Sequence, residues 1–178
     1  MTRLRILRRL GREGGYTLIE LLLVCAILGT VLASLSVLFL SASSSQIDMN
    51  RRFRAQQDAR VAVDKMRREI HCSDQITPAG VSAAITVQLP GQCPTAVGGA
   101  VTNVTYDVVG SGQRYQLRRN AVVLADFISE QNAFSYTAPV AGTSLGRLRL
   151  TLPINTTPTN TGKEWRLVAD IVLRNTSR

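Results

Sequence analysis

Four groups of residues in this chain have the types and spacing to do chemistry. Glu20 opens a long apolar run in Gly14-Gly15-Tyr16-Thr17-Leu18-Ile19-Glu20-Leu21-Leu22-Leu23, just behind an arginine-rich leader. A lone carboxylate in lipid costs roughly 3 kcal/mol even by lenient insertion scales, so it calls for a counter-charge. Gly142-Thr143-Ser144-Leu145-Gly146 fits G-x-S-x-G, the turn that exposes a nucleophilic serine. His71, Cys72 and Cys93 are of the types that ligate zinc. Arg114, Arg118, Arg147, Arg149, Arg166 and Arg174 fall in strand-like runs and, aligned on one face, would form a positive patch for phosphate backbones.

The elements around these groups decide between the readings. A nucleophile elbow needs a strand before it and a helix after it. Here the motif lies between two antiparallel-looking strands, and the single histidine, His71, ends a helix, so the motif reads as a turn. Structural zinc wants four ligands, and three stand here. Outside the cytoplasm Cys72 and Cys93 can form a disulfide instead, with a metal site and free thiols as the alternatives. Closing a loop of about 20 residues would stabilise the fold by about 3 kcal/mol. Cys25, inside the apolar run, behaves as a small hydrophobe. No phosphate-binding loop, paired carboxylates or metal-ligand cluster stands out, so neither an enzyme, a cofactor nor a metal is expected. The strand arginines alternate with core residues, which puts many of them on a water-facing sheet whether or not DNA is a partner.

The chain has 178 residues and a formal charge of +9. Arg3, Arg5, Arg8, Arg9 and Arg12 lie in the leader against one acid, Glu13, so the high basicity is partly a property of the leader. The mildly basic remainder does not by itself indicate nucleic acid. The length suits one modest domain plus a membrane anchor.

Residues 21–40, LLLVCAILGTVLASLSVLFL, contain no charge. Twenty helical residues span about 30 Å, the thickness of a bilayer's hydrocarbon core. Thr30, Ser34 and Ser36 can bond back to their own helix, and Gly29, Ala33 and Ser34 let another helix approach closely. A secretory signal has a shorter apolar core, and Ser41-Ala42-Ser43 is only a passable cleavage site. A plain single-span anchor explains the length of the run but not Glu20. Arginines on both sides, including Arg51, Arg52 and Arg54, favour a cytoplasmic leader only moderately.

Gly15-Tyr16-Thr17-Leu18-Ile19-Glu20 and the apolar helix after it resemble the processing site of type IV pilins and type II secretion pseudopilins. The family pattern is glycine, an aromatic residue (usually Phe), Thr-Leu, a variable residue, Glu and a long hydrophobic helix; this chain departs from it in having Tyr16. The resemblance covers about 25 residues. It implies cleavage after Gly15 by a membrane-embedded prepilin peptidase, methylation of the new amino terminus at Tyr16, and a role for Glu20 in subunit assembly. The new amine would lie about 6 Å along the axis from Glu20. In a stack of subunits the glutamate of one chain can meet the amine of the next, and buried ion pairs of this kind set register.

Beyond Ser41–Ser45, which holds no Pro or Gly, Ala55, Ala59, Ala62, Val63, Met66 and Ile70 recur at helical steps as an apolar stripe. Arg51, Arg52, Arg54, Arg60, Arg67 and Arg68, interleaved with Asp58, Asp64 and Glu69, read as a solvated mixed-charge face. A helix from Tyr16 to about His71 would be roughly 84 Å long. Ala59–Ile70 also resembles the helix end of W-type minor pilins and J-type pseudopilins. After Cys72, residues 84–89, 104–109, 113–118, 122–125, 133–137, 148–152 and 165–174 read as strands. Turns are expected at Gly110-Ser111-Gly112 and at Asn120, and exposed loops at 90–99 and 153–162.

The expected fold class is α+β, a long N-terminal helix packed on a twisted antiparallel sheet. The expected organisation is a leader at 1–15, a transmembrane half-helix at 16–40, an amphipathic half-helix at 41–71 and a sheet domain at 72–178. The resemblance implies a minor pilin or pseudopilin, with prepilin peptidase, other pilin subunits, an inner-membrane assembly platform and the lipid bilayer as partners. It would reside in the cytoplasmic membrane before assembly and in an extracytoplasmic filament after it. Retention of Glu20 argues against the extreme tip subunit. The alternatives are a single-span receptor or sensor that never polymerises, and a competence pilin that binds DNA.

Overall fold

The computed structural model describes residues 15–96, 98–157 and 161–174. Residues 1–14, most of the expected leader, lie outside these, as do 158–160 in the expected 153–162 loop. One helix, α1, runs Leu18–Cys72. No proline interrupts it. Four hydroxyls within it donate to carbonyls of the preceding turn: Thr30 to Ile27, Ser34 to Val31 and Ser36 to Leu32, each at 2.8 Å, and Ser44 to Ser41 at 2.9 Å. The backbone N–H and hydroxyl of Ser73 both donate to the Ile70 carbonyl, and the helix stops there.

The chain forms two compact units, Met1–Gln46 and Ile47–Arg178. In the first, the leucines, isoleucines and valines between Leu18 and Leu40 are exposed all round the helix. By length and composition this helix can cross a membrane.

In the second unit Ala55, Ala59, Ala62, Val63, Met66 and Ile70 are buried. The stripe expected from their spacing is therefore the helix's contribution to the core. Nine strands complete it: β1 Gln75–Thr77, β2 Gly80–Ser82, β3 Ala84–Leu89, β4 Thr102–Ser111, β5 Arg114–Arg119, β6 Val122–Ile128, β7 Phe134–Thr137, β8 Arg147–Ile154 and β9 Trp165–Val172. All pair antiparallel, in the order β1-β3-β4-β5-β6-β8-β7-β2, with β9 on β8. The fold is α+β, as expected. The sheet is nearly two leaves. The β1-β3-β4-β5-β6 leaf meets β8 only where Ile128 faces Ile154. The two ends of the path, β1 and β2, are separated in the chain by Pro78 and Ala79 alone, so the sheet curls back toward itself.

One-sided alternation fixes the inner face. Leu148, Leu150 and Leu152 are buried while Arg147 and Arg149 are exposed, and Ala169, Ile171 and Leu173 line up beside them. Asn120 and Ala121 both have positive φ (45° and 66°), the backbone that a two-residue hairpin with right-handed twist requires. Gly112 (φ 64°) makes the β4–β5 turn. Two strands were not expected. β1 and β2 are three residues each, too short to show a period, and they flank Pro78. β6 runs to Ile128, three residues past the expected end, because a register shift and the left-handed Phe127 (φ 64°) break the alternation there.

Candidate functional site

Gly15, Tyr16 and Thr17 precede α1 as exposed, irregular backbone. Thr17 is the N-cap. Its backbone N–H donates to Glu20 Oε2 at 2.9 Å, its hydroxyl donates to the same oxygen at 3.0 Å, and the Glu20 N–H reaches back to the Thr17 hydroxyl at 3.4 Å. This is a reciprocal capping box, built from Thr-x-x-Glu, and it adds the favourable interaction of a carboxylate with a helix N-terminus. Glu20 is thus hydrogen-bonded within its own chain. Both bonds go to Oε2, and among the described residues no cation lies within ion-pair distance. The hydrogen bonds are met locally; among the described residues the charge is not.

A second carboxylate on α1 escaped the sequence reading. Glu69, read there as part of a solvated charged face, is 1% exposed. Arg119 on β5 grips it through Nε, 3.1 Å from both carboxylate oxygens, and through a terminal nitrogen 3.0 Å from Oε1. The buried Tyr106 hydroxyl on β4 donates to Oε2. Burial, then the neighbouring carboxylate, pushes the Tyr106 phenol well above the usual tyrosine range. Burial works to discharge Arg119, but Glu69 outweighs it and holds the guanidinium above its ordinary pKa. The sequence did carry a signal. Ala55, Ala59, Ala62, Met66 and Glu69 succeed one another at steps of four, three, four and three, so Glu69 occupies the next core position of the stripe.

Cys72, the last residue of α1, is disulfide-bonded to Cys93, with 5.9 Å between their Cα atoms. That leaves His71 without thiolates to share a metal. Its Nδ1 lies 2.8 Å from the Val172 carbonyl of β9, which ties the helix end to the sheet. Among the described residues no group of His, Cys, Asp and Glu is placed to hold a metal ion. Ser144 sits in a turn between β7 and β8, paired with Val140, and no helix follows it.

The strand arginines are mostly answered by carboxylates. Arg114 pairs with Asp126 (2.7 Å), Arg118 with Asp107, Arg149 with Asp170 (3.0 Å), and Arg166 with Glu130 and Glu164. Burial would raise Asp126, but Arg114 and the Phe127 N–H hold its carboxyl below the usual range. Arg149 lowers Asp170 in the same way. Four of the six cations expected for a phosphate-binding patch are therefore neutralised within the sheet.

Residues 10–36 match a family model described as the prokaryotic N-terminal methylation motif. No curated protein and no solved structure matches the chain. The matched residues hold the Gly15-Tyr16 junction, the Thr17–Glu20 box and the start of the exposed apolar helix. The chain carries the N-terminal signature of type IV pilin and pseudopilin precursors.

Proposed function

We propose that this chain is a minor pilin or pseudopilin. A prepilin peptidase cuts it after Gly15 and methylates Tyr16, and it then joins or primes a filament with other pilin subunits on an inner-membrane assembly platform. The motif match carries this reading. The geometry supports it: the Gly15-Tyr16 junction is exposed, the apolar helix starts two residues later, and among the described residues no cation lies within ion-pair distance of Glu20 at the end of that helix. The subunit works by assembly, with Glu20 meeting the new amine of a neighbour, rather than by catalysis. Whether it resembles W-type or J-type subunits in its place within the filament is part of the same proposal. DNA binding gains no support, because most of the arginines it would use are paired.

Mass spectrometry of the mature chain tests the processing: a start at methylated Tyr16 is expected, and a start at Met1 would leave the single-span receptor reading instead. Three variants then separate the two roles open to Glu20. Glu20→Val removes both cap and charge. Glu20→Gln keeps a capping-box side chain without charge, since Gln serves that position too. Thr17→Val keeps the charge and loses the cap, at about 1 kcal/mol of helix stability. Filament incorporation should fail for Glu20→Val and Glu20→Gln and persist for Thr17→Val. The opposite order, with Glu20→Gln incorporated and Thr17→Val excluded, would reduce Glu20 to a helix cap.

A further inference from the structure

We propose that the β7–β8 loop, residues 138–146, and the polar pocket at its base form a docking surface for a different protein, one that presents an apolar groove beside a carboxylate. Thr137 to Leu145 are nine consecutive exposed residues, and none is charged. Val140 (57% exposed) and Leu145 (55%) are the large apolar side chains on it. The loop has a set shape. The Val140 N–H donates to the Ser144 carbonyl and the Ser144 N–H to the Val140 carbonyl, both at 3.0 Å, and Gly142 turns the chain at φ 72°. Its base is fixed by the Leu173 N–H on the Gly146 carbonyl at 2.9 Å and by Gly146 packing against Tyr136. A loop already ordered in this way loses little entropy on binding, which favours its use as a contact.

The pocket is lined by Ser135, Thr137, Arg147, Arg149 and Asp170. Asp170 takes the Arg149 fork at 3.0 and 3.1 Å. Arg147 lies between Thr137 and Val172 in the strand register, and among the described residues no carboxylate is within ion-pair distance of it. Two guanidinium groups thus face one carboxylate, leaving a single positive charge beside two hydroxyl donors. One incoming carboxylate balances that charge and matches the guanidinium fork. A phosphate near two negative charges would overshoot it. A second copy of this chain is a poor source of the carboxylate. Asp48, Asp64, Asp107, Asp126, Asp170, Glu69, Glu130 and Glu164 are already in ion pairs, Glu20 stands at the end of the lipid-length apolar run, and the chain as a whole is net positive; the exposed Asp58 is the carboxylate a second copy could still offer, and the test below excludes it.

The test uses the full chain in cells that make it, with a photoreactive Leu145→p-benzoylphenylalanine and, as control, the same replacement of Val122, which is 65% exposed at the far end of β6. Irradiation should join Leu145, but not Val122, to a different protein at a peptide containing Asp or Glu. Arg147→Glu should cut the adduct yield by about tenfold or more, as expected for inverting one partner of a charge pair. Changing the identified carboxylate to Lys should restore it. Arg147→Gln, with the Cys72–Cys93 bond intact as evidence of folding, should show an intermediate loss. Absence of an adduct would overturn the proposal. So would equal labelling from Val122, an adduct with lipid, nucleic acid or another copy of this chain, or a yield unmoved by Arg147→Glu.

Discussion

Replacing Arg119 by Met is the most informative perturbation of the soluble unit. In the native fold Glu69 is 1% exposed, and three of the four contacts to its carboxylate come from the Arg119 side chain, the fourth from the Tyr106 hydroxyl. Without the guanidinium the carboxylate stays buried with only the Tyr106 hydroxyl. Breaking one side of a buried pair costs about 3–5 kcal/mol, because a charge is left uncompensated. Domains have about 5–15 kcal/mol of stability in total, so this is a large share. Tyr106→Phe removes one hydrogen bond to a charged acceptor and should cost about 1.5–3 kcal/mol. The triple replacement Glu69→Leu, Arg119→Met, Tyr106→Phe removes every polar partner together and should be neutral or stabilising by up to about 4 kcal/mol. Guanidinium unfolding of the full chain in detergent micelles reads all three through Trp165, the single tryptophan, on β9. A loss under about 1 kcal/mol for Arg119→Met, or a triple variant as unstable as the single one, would refute the reasoning.

Leu150→Ala, on the inner face of β8, should cost about 2–5 kcal/mol in the same unfolding assay. Cys93→Ala should cost about 3 kcal/mol relative to the oxidised protein, and reductant should reproduce that loss in the wild type but add nothing to the variant. Stability should fall as pH rises above about 10: Tyr106 has a raised folded-state pKa, so beyond the unfolded value the unfolded chain alone gives up its proton. Tyr106→Phe should flatten that alkaline slope in unfolding titrations. Asp126 is shifted the other way, so its contribution is lost as pH falls through about 4, and Asp126→Asn should flatten the acid side.

What could be read from the chain was whatever one-sided burial writes as a period. Leu148-x-Leu150-x-Leu152 with arginines between can only be a strand with one face in the core, and the Ala55–Ile70 spacing can only be a helix with a buried stripe. The capping box was also there to be read, as Thr17-x-x-Glu20, but a carboxylate at the edge of an apolar run suggests lipid before it suggests a backbone cap. Elements made by long-range pairing were not legible. β1 and β2 hold their places through β3 and β7, and nothing in three residues records that. Glu69 lies among Asp64, Arg67 and Arg68, and its cation is fifty residues away on another element. A charged residue reads as solvated until its partner is known.

The two glutamates of α1 differ in a way that explains why the proposed function places assembly on Glu20. Both stand where a bare charge is expensive, one at the end of a lipid-length apolar run and one inside the domain core. Glu69 is answered within the fold: its oxygens take the Arg119 fork and the Tyr106 hydroxyl, and its charge meets an opposite charge. A group satisfied in this way has nothing to offer a neighbour, and its work is to fix how the helix end sits on β4 and β5. Glu20 is answered only in part. Its own helix supplies hydrogen bonds and a favourable dipole, each worth about 1 kcal/mol or less. That is short of the roughly 3 kcal/mol that a carboxylate costs in lipid. The remainder needs a full positive charge, and among the described residues none is at hand. Under the proposed processing, cleavage after Gly15 creates that charge on every subunit, one residue before the cap. The cap then holds each carboxylate ready at its helix end, and the unmet part of its cost is what drives it toward a second chain.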